Sequence, residues 1–193
     1  MNLKLAILLE RLSQAQRVLI WKAVPQLGLS PTQAQVLLYL SQHPVESRRV
    51  GALAQQFDLS PPTISDAVAS LQSKGLVQRS QWEQDRRVQV LELTQAGQQA
   101  VDRLEGFDRP IHMALDSLSE QEQLQLSGLL LRLAQNLVEQ KVITVARMCL
   151  MCTHFRPEAH PSQAKHHHCA LLDIPLAAQD LRVDCPEFVG AGR

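Results

Sequence analysis

The chain has 193 residues, 45% of them hydrophobic and only 4% aromatic, enough for one globular domain with an aliphatic core and an appendage. Its 19 basic and 19 acidic side chains cancel, so bulk positive charge is excluded as a basis for nucleic-acid binding, and any such role depends on where single charges sit. The apolar run Leu5 to Leu9 ends at Glu10 and Arg11, too short for a membrane span or a secretory signal, which makes a cytoplasmic protein with no membrane partner the expectation.

The first predicted element is a helix over residues 2–24, with Leu5, Leu8, Leu9, Leu12, Leu19 and Ile20 near one face. Ser30-Pro31 supplies an N-cap and a proline in the first turn for a second helix that closes at His43-Pro44. Arg49 to Phe57 reads as a short helix with Val50, Leu53 and Ala54 inward. Ser60-Pro61 repeats the cap signature and opens a helix to about Lys74, with Ile64, Val68 and Leu71 inward and Gly75 as its stop. Leu76 to Trp82 and Val88 to Leu93 read as two strands around a charged turn, Glu83 to Arg87. Thr94 caps a long helix from Gln95 to about Leu118, irregular at Gly106 and Pro110. Ser119-x-x-Glu122 is a capping box for a last helix that fades near Val145. The expected fold class is mainly α with a small β-hairpin wing, a winged helix-turn-helix with long helices for dimerisation.

In this order of elements, Arg49 to Lys74 is the helix-turn-helix and the hairpin is its wing. The second helix would expose Ser60, Pro62, Thr63, Ser65, Asp66 and Ser70 to DNA, its hydroxyls and first-turn N–H groups meeting phosphates or base edges. Arg86 and Arg87 at the wing suit a narrow minor groove, and Arg48, Arg49, Lys74 and Arg79 add candidate phosphate contacts. Between positions 43 and 90 six basic side chains face five acidic ones, so binding must rest on a few placed contacts and on dimer avidity. Asp85 is expected to pair with a neighbouring arginine and order the wing.

Leu53-Ala54, Ser60-Pro61-Pro62-Thr63-Ile64-Ser65, Leu71-x-x-Lys74-Gly75-Leu76-Val77, Asp85-Arg86-Arg87 and Leu91-x-Leu93-Thr94-x-x-Gly97 together resemble the MarR family of regulators over roughly residues 3–142. The resemblance implies a homodimer built from the first helix and the last two long ones, a palindromic operator in double-stranded DNA, and often a repressor relieved by a small-molecule effector. Two features depart from the family: Asp66 stands where many relatives carry a basic residue, and the wing turn has no proline.

A composition change places a domain boundary near residue 146, giving a regulator domain over 1–146 and a cysteine-rich tail over 147–193. Cys149-x-x-Cys152 is followed after sixteen residues by Cys169 and after fifteen more by Cys185, all the cysteines in the chain. A C-x-x-C turn is half of a metal site, and two further thiolates complete four soft ligands. Zinc and an iron–sulfur cluster both fit. The apolar flanks and Cys185-Pro186 favour a 4Fe–4S cluster, since Cys149-x-x-Cys152-x-x-Phe155 with Cys185-Pro186-x-Phe188 resembles small four-cysteine modules that carry such clusters or zinc. His166-His167-His168 reads as a solvated loop, although one histidine in place of a cysteine ligand stays open. The tail lacks the core to fold alone, and a metal would supply the missing stability.

No catalytic triad, phosphate loop or carboxylate pair is visible, which points away from an enzyme. The expected function is a homodimeric DNA-binding regulator that senses redox, oxygen or iron status at the cysteines. A small-molecule-responsive repressor with structural zinc and a redox enzyme or electron carrier are the alternatives.

Overall fold

The structure is a computed structural model that describes residues 1–143 and 147–190. It divides into two compact units, Met1–Ser117 and Leu118–Arg193. The boundary expected near residue 146 lies outside the described residues, and the division falls earlier, ahead of the last long helix.

The first unit contains helices α1 (Asn2–Ala23), α2 (Pro31–Gln42), α3 (Val50–Gln56) and α4 (Pro61–Ser73), strands β1 (Val77–Trp82) and β2 (Asp85–Leu93), and helices α5 (Gln95–Leu104) and α6 (Arg109–Asp116). The repeated Ser-Pro signature explains two of the helix starts. Ser30 Oγ accepts the Gln33 N–H at 3.2 Å while Gln33 Oε1 accepts the Ser30 N–H at 3.1 Å, a closed capping box. Ser60 Oγ accepts the Thr63 N–H at 3.3 Å. Gly75, at φ 70, adopts the left-handed conformation that stops α4. Val24, Leu37, Leu40, Leu53, Ile64, Leu71 and Leu104 are fully buried and join α2, α4 and α5 in one aliphatic core.

The Leu93-Thr94-x-x-Gly97 motif is a joint between strand and helix. Thr94 Oγ1 donates to Gly75 O at 2.6 Å and accepts the Gly97 N–H at 3.0 Å, and the Thr94 N–H donates to Leu76 O at 3.1 Å. One residue thus caps α5 and pins it to the end of α4.

The single helix expected from Gln95 to Leu118 is two helices. Gly106 turns the chain at φ 80, and Pro110, which has no N–H to donate to the preceding turn, sits in the first turn of α6.

The second unit contains α7 (Glu120–Glu139) and a small antiparallel sheet, β3 (Phe155–Arg156), β4 (His167–Cys169) and β5 (Ile174–Leu176), in the order β3-β4-β5. The capping box starts α7: Glu122 N–H donates to Ser119 Oγ at 3.4 Å and Ser119 N–H to Glu122 Oε2 at 2.9 Å. The helix ends at Gln140 with Lys141 at φ 60, and the expected end near Val145 lies outside the described residues. Two of the three histidines of the run lie in a strand rather than a solvated loop, with His166 just ahead of it. His167 and His168 belong to the central strand of the sheet, paired with Leu176 and Pro175 on one side, and His168 also with Arg156 on the other. Met148, Leu176 and Ala177 are buried beneath this lobe.

Both units leave apolar helix faces bare. Leu5, Leu8, Leu9 and Leu12 of α1 are exposed, as are Leu129, Leu130, Leu133 and Leu137 of α7. Among the described residues no helix is long and apolar enough to cross a membrane.

Candidate nucleic-acid interface and four-cysteine site

The outward face of α4 carries Pro62, Thr63 and Asp66, all exposed, with Ser65 half-buried beside them. The other residues expected on this face are engaged within the fold. Ser60 Oγ holds the cap and lies 2.8 Å from Thr63 Oγ1. The Ser70 hydroxyl accepts from Gln33 Nε2 at 3.0 Å, which ties α4 to α2. Lys74 Nζ donates to Gly28 O and, at 3.0 Å, to Gln33 Oε1. Its ammonium clamps the C-terminal end of α4 to the segment before α2, away from the Ser60 end.

The wing differs from the expected charged turn of five residues. Gln81 pairs with Gln89 and Trp82 with Asp85, so only Glu83 and Gln84 form the turn, and Arg86, Arg87 and Val88 form a bulge inside β2. The bulge, rather than the tip, presents both arginines. Asp85 does pair with an arginine: Arg87 Nε lies 3.1 Å from Asp85 Oδ1, and the Arg87 backbone N–H donates to the same oxygen at 3.0 Å. The Arg87 side-chain and backbone hydrogen bonds hold the Asp85 carboxyl below the usual range, with help from the charge of Arg49. Arg87 remains 91% exposed, so the pair orders it without hiding it.

Arg49 works at the root of the wing. Its Nε donates to Glu46 O at 2.8 Å and its guanidinium stands 5.6 Å from the centre of the Trp82 ring. Arg48 Nε donates to His43 O at 2.8 Å, and its carbonyl accepts the Leu91 N–H at 2.7 Å. Trp82 is thus a wing anchor that sequence reasoning missed; its signal was a lone large aromatic at the end of a polar strand.

In the second unit the four cysteines are unpaired thiols, each half-buried. Cys149 and Cys152 share one tight turn, closed by the Cys152 N–H donating to Cys149 O at 3.0 Å. Cys169 ends β4. Cys185 is drawn to Arg147, whose Nη2 donates to Cys185 O at 2.9 Å while the Cys185 N–H donates to Arg147 O at 2.8 Å. Burial pushes the Cys149 thiol up, the Arg182 backbone N–H opposes it, and the nearness of Cys185, Cys169 and Cys152 raises it further. The four cysteines, spread over 36 positions, thus lie near enough for their charges to influence Cys149. Among the described residues no three of their sulfurs lie within 4.8 Å of one another. Arg182 approaches two of them: its backbone N–H donates to Cys149 Sγ at 3.3 Å and its Nη1 to Cys185 Sγ at 3.7 Å.

Residues 27–88 match the MarR family model. The chain is 31% identical over 109 residues to the HTH-type transcriptional repressor MdtR of Bacillus subtilis (strain 168), an alignment spanning 56% of this chain and 69% of that one. Among solved structures, the transcriptional regulator PA3341 superposes with a TM-score of 0.62 at 29% identity, covering 70% of this chain and 98% of the other. The S. aureus MepR–DNA complex superposes with a TM-score of 0.59 at 23% identity, over 68% of this chain and 96% of MepR, and so shares the fold.

Proposed function

Because the chain belongs to the MarR family of transcription regulators, we propose that it binds a palindromic operator in double-stranded DNA as a homodimer, and that its four cysteines hold a 4Fe–4S cluster through which redox, oxygen or iron status reaches the DNA. Its relatives are regulators, and it is a regulator rather than an enzyme. The DNA-binding part is supported by a recognition helix that exposes Thr63 and Asp66 and by a wing that holds Arg87 out on a fixed carboxylate. The bare leucines of α1 and α7 support the homodimer, since an isolated protomer would leave both rows in water.

The convergence of the four sulfurs carries the sensing part. A single tetrahedral zinc, with Zn–S near 2.3 Å, draws its thiolates to roughly 3.8 Å from each other. The apolar flanks and Cys185-Pro186 are what favour a cluster over zinc at these four cysteines. When bound, such a cluster supplies one-electron chemistry and oxygen sensitivity; the chain supplies the thiolates, the apolar shell and the Arg182 donors. The lobe and α7 share one unit, and a change at the cysteines can reach the dimer helix and so the separation of the two half-site readers.

A second reading has its own observation. Leu124, Leu129 and Leu131 of α7, with Leu150, Leu181 and Arg132, line an apolar groove with one cationic side chain, suited to an anionic or aromatic effector above a structural zinc.

The test uses the full-length chain and DNA from its own promoter region. The cluster reading expects a brown protein as isolated, a Cys152→Ser variant without the cofactor, and operator affinity that differs between loaded and cofactor-free protein. Equal affinity in both states leaves a structural site only. A colourless, zinc-bearing protein released from DNA by a small molecule supports the second reading.

A further inference from the structure

Helix α4 carries one charged residue among its 13, and it is acidic: Asp66 stands near the middle of Pro61–Ser73, with no lysine or arginine inside the helix. The element that the DNA-binding reading lays in the major groove therefore brings a carboxylate, not a cation, toward a polyanion. Its placement is fixed from beneath. Ile64, Val68 and Leu71 are fully buried in the core, and Pro62, Asp66, Ala69 and Ser73 form the exposed stripe on the other side, at spacings of four, three and four.

The hydroxyls that flank Asp66 are already engaged within the fold. Thr63 Oγ1 lies 2.8 Å from Ser60 Oγ, the Ser70 hydroxyl accepts from Gln33 Nε2 at 3.0 Å, and Ser73 Oγ donates to Ser70 O at 2.8 Å. Lys74, the nearest cation in sequence, is held by Gly28 O and Gln33 Oε1. Among the described residues no side-chain hydrogen bond or ion pair reaches the Asp66 carboxylate, which is left for a partner outside the chain.

The chemistry of the groove narrows that partner. A carboxylate only accepts hydrogen bonds. Guanine and thymine present acceptors on the major-groove edge, and adenine sets its N6 donor beside the N7 acceptor. Cytosine alone presents an amino donor, N4, with no acceptor of its own beside it. An acceptor-only side chain is thus repelled at guanine and thymine, opposed in part at adenine, and satisfied at cytosine. Pro62 and Ala69, on either side of Asp66 in the stripe, add apolar surface and no side-chain donor that would offset a mismatch.

We propose that Asp66 is a specificity-determining residue that accepts from the N4 amino group of one cytosine in each operator half-site. The inference rests on the DNA-binding reading and adds to it the base that is read. Asp66 lowers the general attraction to phosphate and is compensated only where the cytosine is present.

The test is in vitro selection from a random duplex pool with the full-length protein and with its Asp66→Ala and Asp66→Asn variants, followed by affinity measurements on the enriched sites. Wild type should require cytosine at one symmetric position in each half-site, and exchanging that base pair should weaken binding by about 5- to 150-fold. Asp66→Ala should accept any base at that position and keep the preferences elsewhere. It should also bind an unrelated duplex at least as tightly as wild type, which shows that the variant is folded. Asp66→Asn, whose amide both donates and accepts, should move the preference to adenine. A cytosine preference that persists in Asp66→Ala, or its absence from wild type, overturns the assignment and leaves the DNA-binding reading standing. Failure of wild type to enrich any duplex overturns the DNA-binding reading itself, and this assignment with it.

Discussion

A β-carbon on Gly97 would lie 2.0 Å from the carbonyl oxygen of Leu76. The close approach exists because Thr94 draws the first turn of α5 against the chain leaving α4, with Leu76 O accepting the Thr94 N–H. Neither partner can move: one is backbone in a cap and the other leads directly into β1. Gly97→Ala should therefore destabilise the first unit by about 3 kcal/mol, the upper part of the range for overpacking. A thermal melt of the full chain reads this, and an unchanged midpoint would show that the joint yields.

The bulge in β2 makes Arg87 the wing residue that matters most for DNA. Arg87→Ala should weaken binding about equally for operator and unrelated duplexes and lower the salt slope by about 1. An unchanged slope removes the wing from the interface.

The order of that residue depends on pH in one direction. Asp85 is held below its ordinary value by Arg87, so the pairing contributes fully above the unfolded aspartate range and is lost as pH falls through the lower, folded value. The Arg87 Nε–H signal in NMR should stay protected down through mildly acidic pH and lose protection only below the usual aspartate range. Asp85→Asn should remove the protection at every pH.

Arg182 bears on the cysteines. Donors on thiolate sulfurs stabilise the more reduced, more negative cluster. On the proposed cluster reading, Arg182→Ala deletes the guanidinium and keeps the backbone donor to Cys149, so the cluster potential should fall by roughly 10–40 mV, taking an exposed charge contact at about 0.2–1 kcal/mol and a one-electron couple. A potentiometric titration of wild type and variant measures it.

On the proposed metal reading, removing the metal should separate the behaviour of residues 147–190 from the rest. With only short strands and Met148, Leu176 and Ala177 buried, the lobe has little core of its own. Chelation should raise hydrogen exchange across residues 147–190 and leave the melting of the α2–α4–α5 core in place. Uniform exchange before and after would mean that the lobe holds itself.

Elements governed by neighbours in sequence were legible there. The Ser30 and Ser60 caps, the Ser119 box and the Thr94 cap on the Gly97 N–H each lie within four residues of their partners, and all four appear as local chemistry expects. What escaped was non-local. The bulge holding Arg86 and Arg87 follows from the register of β2 on β1, and the engagement of Lys74 from a partner 46 residues away. The histidine strand has three residues, too few for any period to show, and gains its identity from strands on both sides.

The bare leucine rows of α1 and α7 have a consequence for how stability itself is defined. On the dimeric reading those rows are covered only when two chains meet, so part of the folding free energy belongs to association. The melting temperature is then a function of protein concentration, rising as the sample is made more concentrated. In a cell, the amount of regulator made would set how much of it stays folded as well as how much operator is filled.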